Sequence, residues 1–287
     1  MNTLKLLVVI LTVALIVSVG FNAYFASQTL VFSNQNAAKK QLEMNQILSQ
    51  AQVAIDAEIK QIGDSLIYAS QQLSATGISG TQARGIVKEL AQNSSFIIDA
   101  ATQDLSNIMI IVEPSQYQSS EGKNIGEQEW LNINPHGQLT PMMTPAMTLV
   151  EGLQGVALAC PVYKSNDERI GRVSVIFYPD EIINAKLAPL INGKEYSALV
   201  MQTDGLSLYD TDPAQQGKNL FTDPLYVGYT ELLAIGHRVA AESSGHGTYS
   251  FTLDAQGGEV LQKECYWTTI NAYGQQWRLN LIRPLNQ

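Results

Sequence analysis

Four aspartates crowd one short stretch of this chain: Asp204, Asp210, Asp212 and Asp223. Clustered carboxylates are what a calcium site needs, but the EF-hand order of ligands is missing here. Their place around a turn and loop favours turn capping, in which an aspartate side chain accepts a backbone N–H two residues on. The three histidines, His136, His237 and His246, have no metal-ligand spacing, and the two cysteines, Cys160 and Cys265, form no close pair. Ser207 lies in a Gly-Leu-Ser-Leu-Tyr run that lacks the second glycine of a nucleophile elbow. No glycine loop has a phosphate-cradling pattern. The expectation is a protein without enzyme activity, bound metal or cofactor. Binding chemistry rests on different residues. Trp130 and Tyr117 sit among small and polar groups, where an aromatic side chain is suited to walling a small pocket. Tyr226 and Tyr229 are the corresponding candidates later in the chain.

These residues need a frame. Ser33 to Ala75 is free of Pro, and Leu48, Ala51, Ile55, Ile59, Ile62, Leu66, Ala69 and Leu73 recur in steps of three and four. That spacing predicts one long amphipathic helix, whose stripe is either a coiled-coil seam or a face packed on its own domain. Gly77 and Gly80 end it, and a second helix is expected over Thr81 to Gln92. Beyond residue 96 the pattern changes to strands rich in β-branched residues: Ile108 to Val112, Val156 to Ala159 and Arg172 to Phe177. Lys164 to Glu168 reads as the turn of a hairpin. Pro179-Asp180-Glu181 starts a helix that Asn192-Gly193 stops.

A second cycle follows. Ala198 to Gln202 and Ser207 to Tyr209 flank the hairpin signal Asp204-Gly205. Helical spacing runs from Leu225 to Ala241, and strands are expected over Gly247 to Leu253, Gln262 to Ile270 and Gln276 to Arg283. Cys160 and Cys265 hold equivalent places, each in the penultimate strand of its unit. Equivalent positions in separate sheets lie too far apart for a disulfide, so both are read as unpaired and buried.

The amino terminus is a different kind of sequence. Leu6 to Ala38 holds no Asp, Glu, Lys or Arg, and the apolar run through Phe25 has the length of a membrane-spanning helix. Cleavage as a signal peptide would place Phe21 or Tyr24 where a small residue is needed, which favours an uncleaved anchor. Lys5 precedes the run and the next cations, Lys39 and Lys40, come well after it, so the amino terminus is expected in the cytoplasm and the body outside. A net charge of −9, with only 15% charged residues and no basic block, argues against a nucleic-acid partner.

Anchor, long helix, shorter helix and two mixed units in tandem: this order resembles the double Cache sensor domains of membrane receptors, extracytoplasmic relatives of the PAS fold, over about residues 27–284. Ala157 to Tyr163 with Ile170 to Val175 is similar to the end of a membrane-distal unit. Val200 to Tyr209, Gln216 to Leu220 and Gly247 to Phe251 are similar to parts of a membrane-proximal one. The resemblance implies an α+β fold: an anchor over 1–26, two helices over 27–95, a distal unit over 96–178, a connecting helix over 179–195 and a proximal unit over 196–287, with antiparallel sheets. It implies a sensor for a small molecule.

Cache domains that bind amino acids carry an Arg two residues before a Trp, an aromatic after it, and an Asp in the last strand of the distal unit. Here Trp130 matches, but Gln128 stands at the Arg position, Leu131 follows and Ile176 stands at the Asp position. The amino-acid clamp is therefore expected to be absent, since a ligand carboxylate has lost its bidentate partner. Trp130, Tyr117 and Gln128 remain the expected ligand-binding residues. Family members continue into a second span and a kinase or chemotaxis module, whereas this chain stops at Gln287, so the sensor is expected to report through a partner membrane protein. The alternative is a module that binds no ligand and forms a homodimer through its long helix.

Overall fold

The computed structural model describes residues 3–126, 140–148, 154–164, 168–252 and 260–285. Helix α1 (Thr3–Thr76) runs without a break through the boundary expected near residue 26. Gly20 inside it costs only about 1 kcal/mol relative to Ala, and no proline interrupts the turn-to-turn hydrogen bonds. Met1–Gln46 and Ile47–Gln287 form separate compact units. In the first, Val19, Phe21, Tyr24, Phe25 and Phe32 are all exposed. Among the described residues no helix is long and apolar enough to cross a membrane; the side chains of residues 3–17 lie outside the description.

Gly77 ends α1 with φ +84° and donates its N–H to the Leu73 carbonyl. Such positive φ is a glycine conformation, the usual stop of a helix. Helix α2 (Gly80–Gln92) buries Ala83, Val87 and Leu90. Then come β1 (Ile97–Gln103), β2 (Met109–Glu113), the two short strands β3 (Met142–Met143) and β4 (Met147–Thr148), and the hairpin β5 (Gln154–Tyr163) and β6 (Arg169–Phe177). Helix α3 (Pro179–Ile191) connects to β7 (Ser197–Gln202) and β8 (Ser207–Asp210). Helix α4 (Thr230–Ala241), β9 (Gly245–Thr252), β10 (Val260–Ala272) and β11 (Gln275–Pro284) complete the fold.

The tandem repeat is visible in the topology. The first sheet has the order β2-β1-β6-β5-β3, with β4 also on β5, and the second β8-β7-β11-β10-β9. Counting five strands in each, both read 2-1-5-4-3, and the described pairings are antiparallel. Cys160 on β5 and Cys265 on β10 occupy the same place in this order, and both are free and buried. Burial pushes their thiols up to about 11 and about 12, so neither is a ready nucleophile at neutral pH.

The stripe on α1 is consumed within the chain. Ala51, Ile55, Leu66 and Leu73 are fully buried, and Leu48, Ile59, Ile62 and Ala69 nearly so. Gln52 spans to the second sheet, donating to the Thr269 carbonyl at 2.8 Å and accepting from the Thr268 hydroxyl at 3.1 Å. Ser70 reaches the first, donating to the Pro161 carbonyl at 2.7 Å. Between them Gly63 admits the Tyr273 ring, which sits where a Cβ would be. The coiled-coil reading of this stripe is therefore corrected: its apolar residues already face the chain's own core. Each fully buried Leu or Ile there contributes about 1.5–3 kcal/mol.

Two further departures have local causes. The predicted helix from Leu225 begins instead at Thr230, because Asp223 and Pro224 open a separate 3-10 turn (Pro224–Tyr226) and Gly228 follows at φ +103°. Strand β1 was not expected from the pattern at all, and it lies centrally, between β2 and β6.

Candidate functional site

Of the expected ligand residues, Trp130 and Gln128 lie outside the described residues. Tyr117 lies in a 3-10 turn (Ser115–Ser120) and packs against Ala101, Met109, Val112 and Ile125. Arg84 of α2 holds this turn in place, donating to Glu113 at 2.8 Å and to Glu121 at 2.9 Å. Glu121 also accepts the Val112 N–H at 3.0 Å, and Gln118 donates to Glu113 at 3.0 Å. Ile176 is buried against Ala157, Ile98 and Met147, an apolar cluster where the amino-acid clamp would need a carboxylate. Its direct cross-strand partner is Asp99 on β1, which is fully buried. A carboxylate thus stands one strand away on the same face, on the strand that the sequence pattern missed.

The second unit holds a cavity of about 430 Å³ over one face of its sheet. Strand register explains which side chains converge there. Asp210 pairs with Leu199, Lys263 pairs with Tyr249, and Cys265 lies opposite Ile282. A β-bulge shifts the β7–β8 register so that Ser207 stands opposite Met201. Asp210, Ser207, Lys263 and Tyr249 therefore share the face that also carries Leu199 and Ile282.

Helix α4 covers this face and is pinned at both ends. Arg278 donates to the Val239 and Ala240 carbonyls at 3.0 and 3.1 Å, satisfying the last turn of the helix. Trp267 donates its indole N–H to the Glu242 carbonyl at 3.1 Å. At the other end, Glu231 accepts the Ser250 N–H at 2.6 Å. The remaining wall comes from the loop between β8 and α4. Asn219 shapes that loop by accepting the N–H groups of Phe221 and Thr222 and donating to the Asp204 carbonyl.

The aspartate cluster caps turns as its spacing suggests. Asp204, Asp210, Asp212 and Asp223 each accept the backbone N–H two residues on, at 3.0, 2.8, 3.1 and 2.9 Å. Among the described residues no group of three His, Cys, Asp or Glu side chains is placed to hold a metal. His237 stacks on Phe221, and His246 meets Glu264 at 2.9 Å.

Asp210 and Asp212 both also line the cavity, together with Lys218 and Lys263. Burial pushes the Asp210 carboxyl up to about 6, against the hydrogen bond from the Asp212 N–H and the charge of Lys263, while the Asp212 carboxylate adds a smaller rise. Burial lowers the Lys263 ammonium in turn. The two charges act on each other across the cavity, yet they form no ion pair within 4.0 Å among the described residues. Lys263 lies over the Phe251 ring at 4.6 Å, and Phe251 stacks on Tyr229 at 5.1 Å. Tyr226 donates to Gln215 at 2.6 Å. Ser207, only 6% exposed, has a buried hydroxyl with no hydrogen-bond partner among the described residues. Tyr249 is 7% exposed, and burial pushes its phenol above the ordinary range.

Sequence reasoning named Tyr226 and Tyr229 but missed Asp210, Lys263 and Tyr249 as lining residues. Alternation along β9 and β10 was the available signal, since a lysine on an otherwise apolar face is unusual.

Residues 57–179 match the sequence profile of the HK/GC/chemotaxis protein-like sensor domain. No curated protein matches the chain. Among solved structures, an extracellular ligand-binding receptor from Desulfohalobium retbaense is 27% identical with a TM-score of 0.69, over 84% of this chain and 40% of that one. This chain thus spans less than half of that receptor's length. The extracellular domain of a putative histidine kinase is 14% identical with a TM-score of 0.65, covering 86% of this chain and 95% of the other. The ligand-binding domain of the Pseudomonas fluorescens chemoreceptor CtaA, solved with L-alanine, is 14% identical with a TM-score of 0.60, over 84% and 96% of the two chains. Residues 57–179 are accordingly similar to the HK/GC/chemotaxis protein-like sensor domain, within a chain that shares the Cache-like fold of these solved sensor domains.

Proposed function

We propose that this chain is a membrane-anchored, extracytoplasmic sensor that recognises a small molecule and reports through a partner membrane protein, without enzyme activity of its own. The match of residues 57–179 to a sensor-domain profile carries this reading. The uncharged run Leu6 to Ala38 and the exposed apolar side chains from Val19 to Phe32 support the anchor. Lys5 before that run supports a cytoplasmic amino terminus.

In the distal unit the proposed ligand residues are Tyr117, Trp130 and Gln128, with Asp99 added by its place opposite Ile176. CtaA was solved with amino acids; Gln128 and Ile176 in place of the clamp residues argue for a different ligand in this unit. The homodimer reading keeps one support. Val53 and Tyr68, on the outward side of α1, are 65% and 59% exposed.

A thermal-shift screen of the full chain in detergent against small metabolites tests the sensor reading. A ligand at a hundred times its dissociation constant adds about 2.7 kcal/mol of stability. Failure of every compound to shift the transition would leave the structural module as the better account. Protease added outside intact cells should digest the body; a protected carboxy-terminal fragment would refute the proposed topology.

A further inference from the structure

The distal unit is where the sensor reading places its ligand, but the proximal unit holds its own built cavity. Four features of that cavity need explaining together. Asp210 and Lys263 carry opposite charges on β8 and β10, with β7 and β11 between them. They face one space without forming an ion pair. The Tyr249 phenol and the Ser207 hydroxyl line the same space, each in a side chain more than nine-tenths buried, and the Ser207 hydroxyl has no hydrogen-bond partner among the described residues. Three aromatic rings, Tyr226, Tyr229 and Phe251, complete the wall.

A buried charge or hydroxyl without a partner is costly. Two opposed charges held apart would be relieved by one molecule that carries the complementary pair. A lone amine would satisfy Asp210 and be repelled by Lys263; a lone carboxylate would meet the reverse problem. The volume of about 430 Å³ suits a ligand of a few to about a dozen heavy atoms.

We propose that the proximal cavity is a second ligand site, which takes a small zwitterion with its ammonium group against Asp210 and its anionic group against Lys263. The Tyr249 and Ser207 hydroxyls bond the ligand between those ends. The aromatic rings exclude water and favour the cationic end. Asp212 and Lys218 line the cavity too, but the Asp212 carboxylate accepts from both the Ala214 N–H and the Gln215 amide and Lys218 pairs with Asp223 at 3.7 Å, whereas among the described residues Asp210 accepts the Asp212 N–H alone.

Calorimetric titration of the full chain in detergent tests this. The probes are the common L-α-amino acids, β-alanine, 4-aminobutyrate and 5-aminopentanoate, each beside the amine and the carboxylic acid that lack one charge. At least one zwitterion should bind with unit stoichiometry, and its single-charge analogues should bind at least tenfold more weakly. Asp210→Asn and Lys263→Gln should each weaken it tenfold or more, and Tyr249→Phe about threefold to tenfold, in proteins whose thermal transitions confirm folding. Binding of no zwitterion overturns the proposal, and so does a single-charge analogue that binds equally well. Binding insensitive to both Asp210→Asn and Lys263→Gln also overturns it, while leaving the sensor reading intact, because the ligand would then sit elsewhere.

Discussion

The two sheets share a strand order but treat their polar residues differently. In the distal unit several described polar side chains bond one another: Gln103 donates to Ser174 at 2.8 Å, Arg172 to Asn107 at 2.9 Å, and Arg84 to two glutamates, although the Gln103 side-chain oxygen is buried with no hydrogen-bond partner among the described residues. In the proximal unit Asp210, Lys263, Tyr249 and Ser207 turn toward a cavity instead. A duplicated topology thus fixes where side chains point, while the residue chosen at each point decides whether a face becomes a core or a site. The shared element is α1, which touches the proximal sheet through Gln52 and the distal one through Ser70.

The largest expected effect tests that shared element. Leu66 is fully buried in the middle of the α1 stripe. Leu66→Ala should cost about 2–5 kcal/mol. Because one helix serves both sheets, tryptophan fluorescence and far-ultraviolet circular dichroism should report one coincident transition in urea. Separate transitions would show that the two units are held independently, and the comparison would lose its common frame.

How far the sequence reveals this frame depends on the element. The α1 stripe, the Gly77 stop, the β5–β6 hairpin and the start of α3 at Pro179 are all legible, because periodicity and capping chemistry are local. Strand β1 is not. Its run Ile97-Ile98-Asp99-Ala100-Ala101-Thr102-Gln103 mixes alanines with polar residues, which lowers β-propensity, and only tertiary burial makes it central. The cavity is legible in part. Tyr226 and Tyr229 stand out as aromatics in a loop, whereas Asp210 and Lys263 come together only through strand order, since β7 and β11 separate them in space and over fifty residues separate them in sequence. Those are long-range facts that no local pattern contains.

Next in size is the effect of charge in the cavity. Burial raises the Asp210 carboxyl from its ordinary 3.8 to about 6, against the Asp212 N–H hydrogen bond and the charge of Lys263, with a smaller rise from the Asp212 carboxylate. Tyr226, Tyr229, Tyr249 and Lys218 are the other titratable groups that line the cavity. A raised carboxyl binds its proton more tightly when folded, so its contribution is fully present below about pH 4 and is lost as pH rises through 6. The shift corresponds to at most about 3 kcal/mol. Asp210→Asn should therefore be more stable than the parent at pH 7, by up to that amount, and the gain should vanish near pH 4. The difference between parent and variant isolates Asp210 from Asp56, whose carboxyl burial also raises. Thermal melts from pH 4 to 8 check this; parallel curves would mean that the Asp210 carboxylate is well solvated.

A smaller effect is expected on the distal side. Arg84→Ala removes both contacts to Glu113 and Glu121, but the Arg84 side chain is 37% exposed and solvent screens the pair. The cost should be about 1 kcal/mol. Its informative consequence is local: hydrogen exchange in the turn over Ser115–Ser120 should quicken, while β8 and α4 stay unchanged. A protein-wide loss of protection would contradict the division of the two faces.

The smallest expected effect discriminates most sharply between site and core. Tyr249 and Tyr266 sit on neighbouring strands, and both are buried. Tyr266 bonds Glu264 at 3.2 Å, and its phenol is pushed up to about 12 by burial first and by that carboxylate second. Tyr266→Phe gives up a hydrogen bond to a charged group and should cost about 1.5–3 kcal/mol. Tyr249 has the same chemistry but no acceptor among the described residues, so Tyr249→Phe should change the stability of the unliganded chain by less than about 0.5 kcal/mol, in either direction. Residues retained for folding lose stability when their polar atoms are removed. A hydroxyl whose removal is neutral to folding but weakens zwitterion binding is held there for the ligand. Urea denaturation of the two variants side by side gives the comparison, and a loss for Tyr249→Phe as large as that for Tyr266→Phe would return the phenol, and with it the cavity face, to the core.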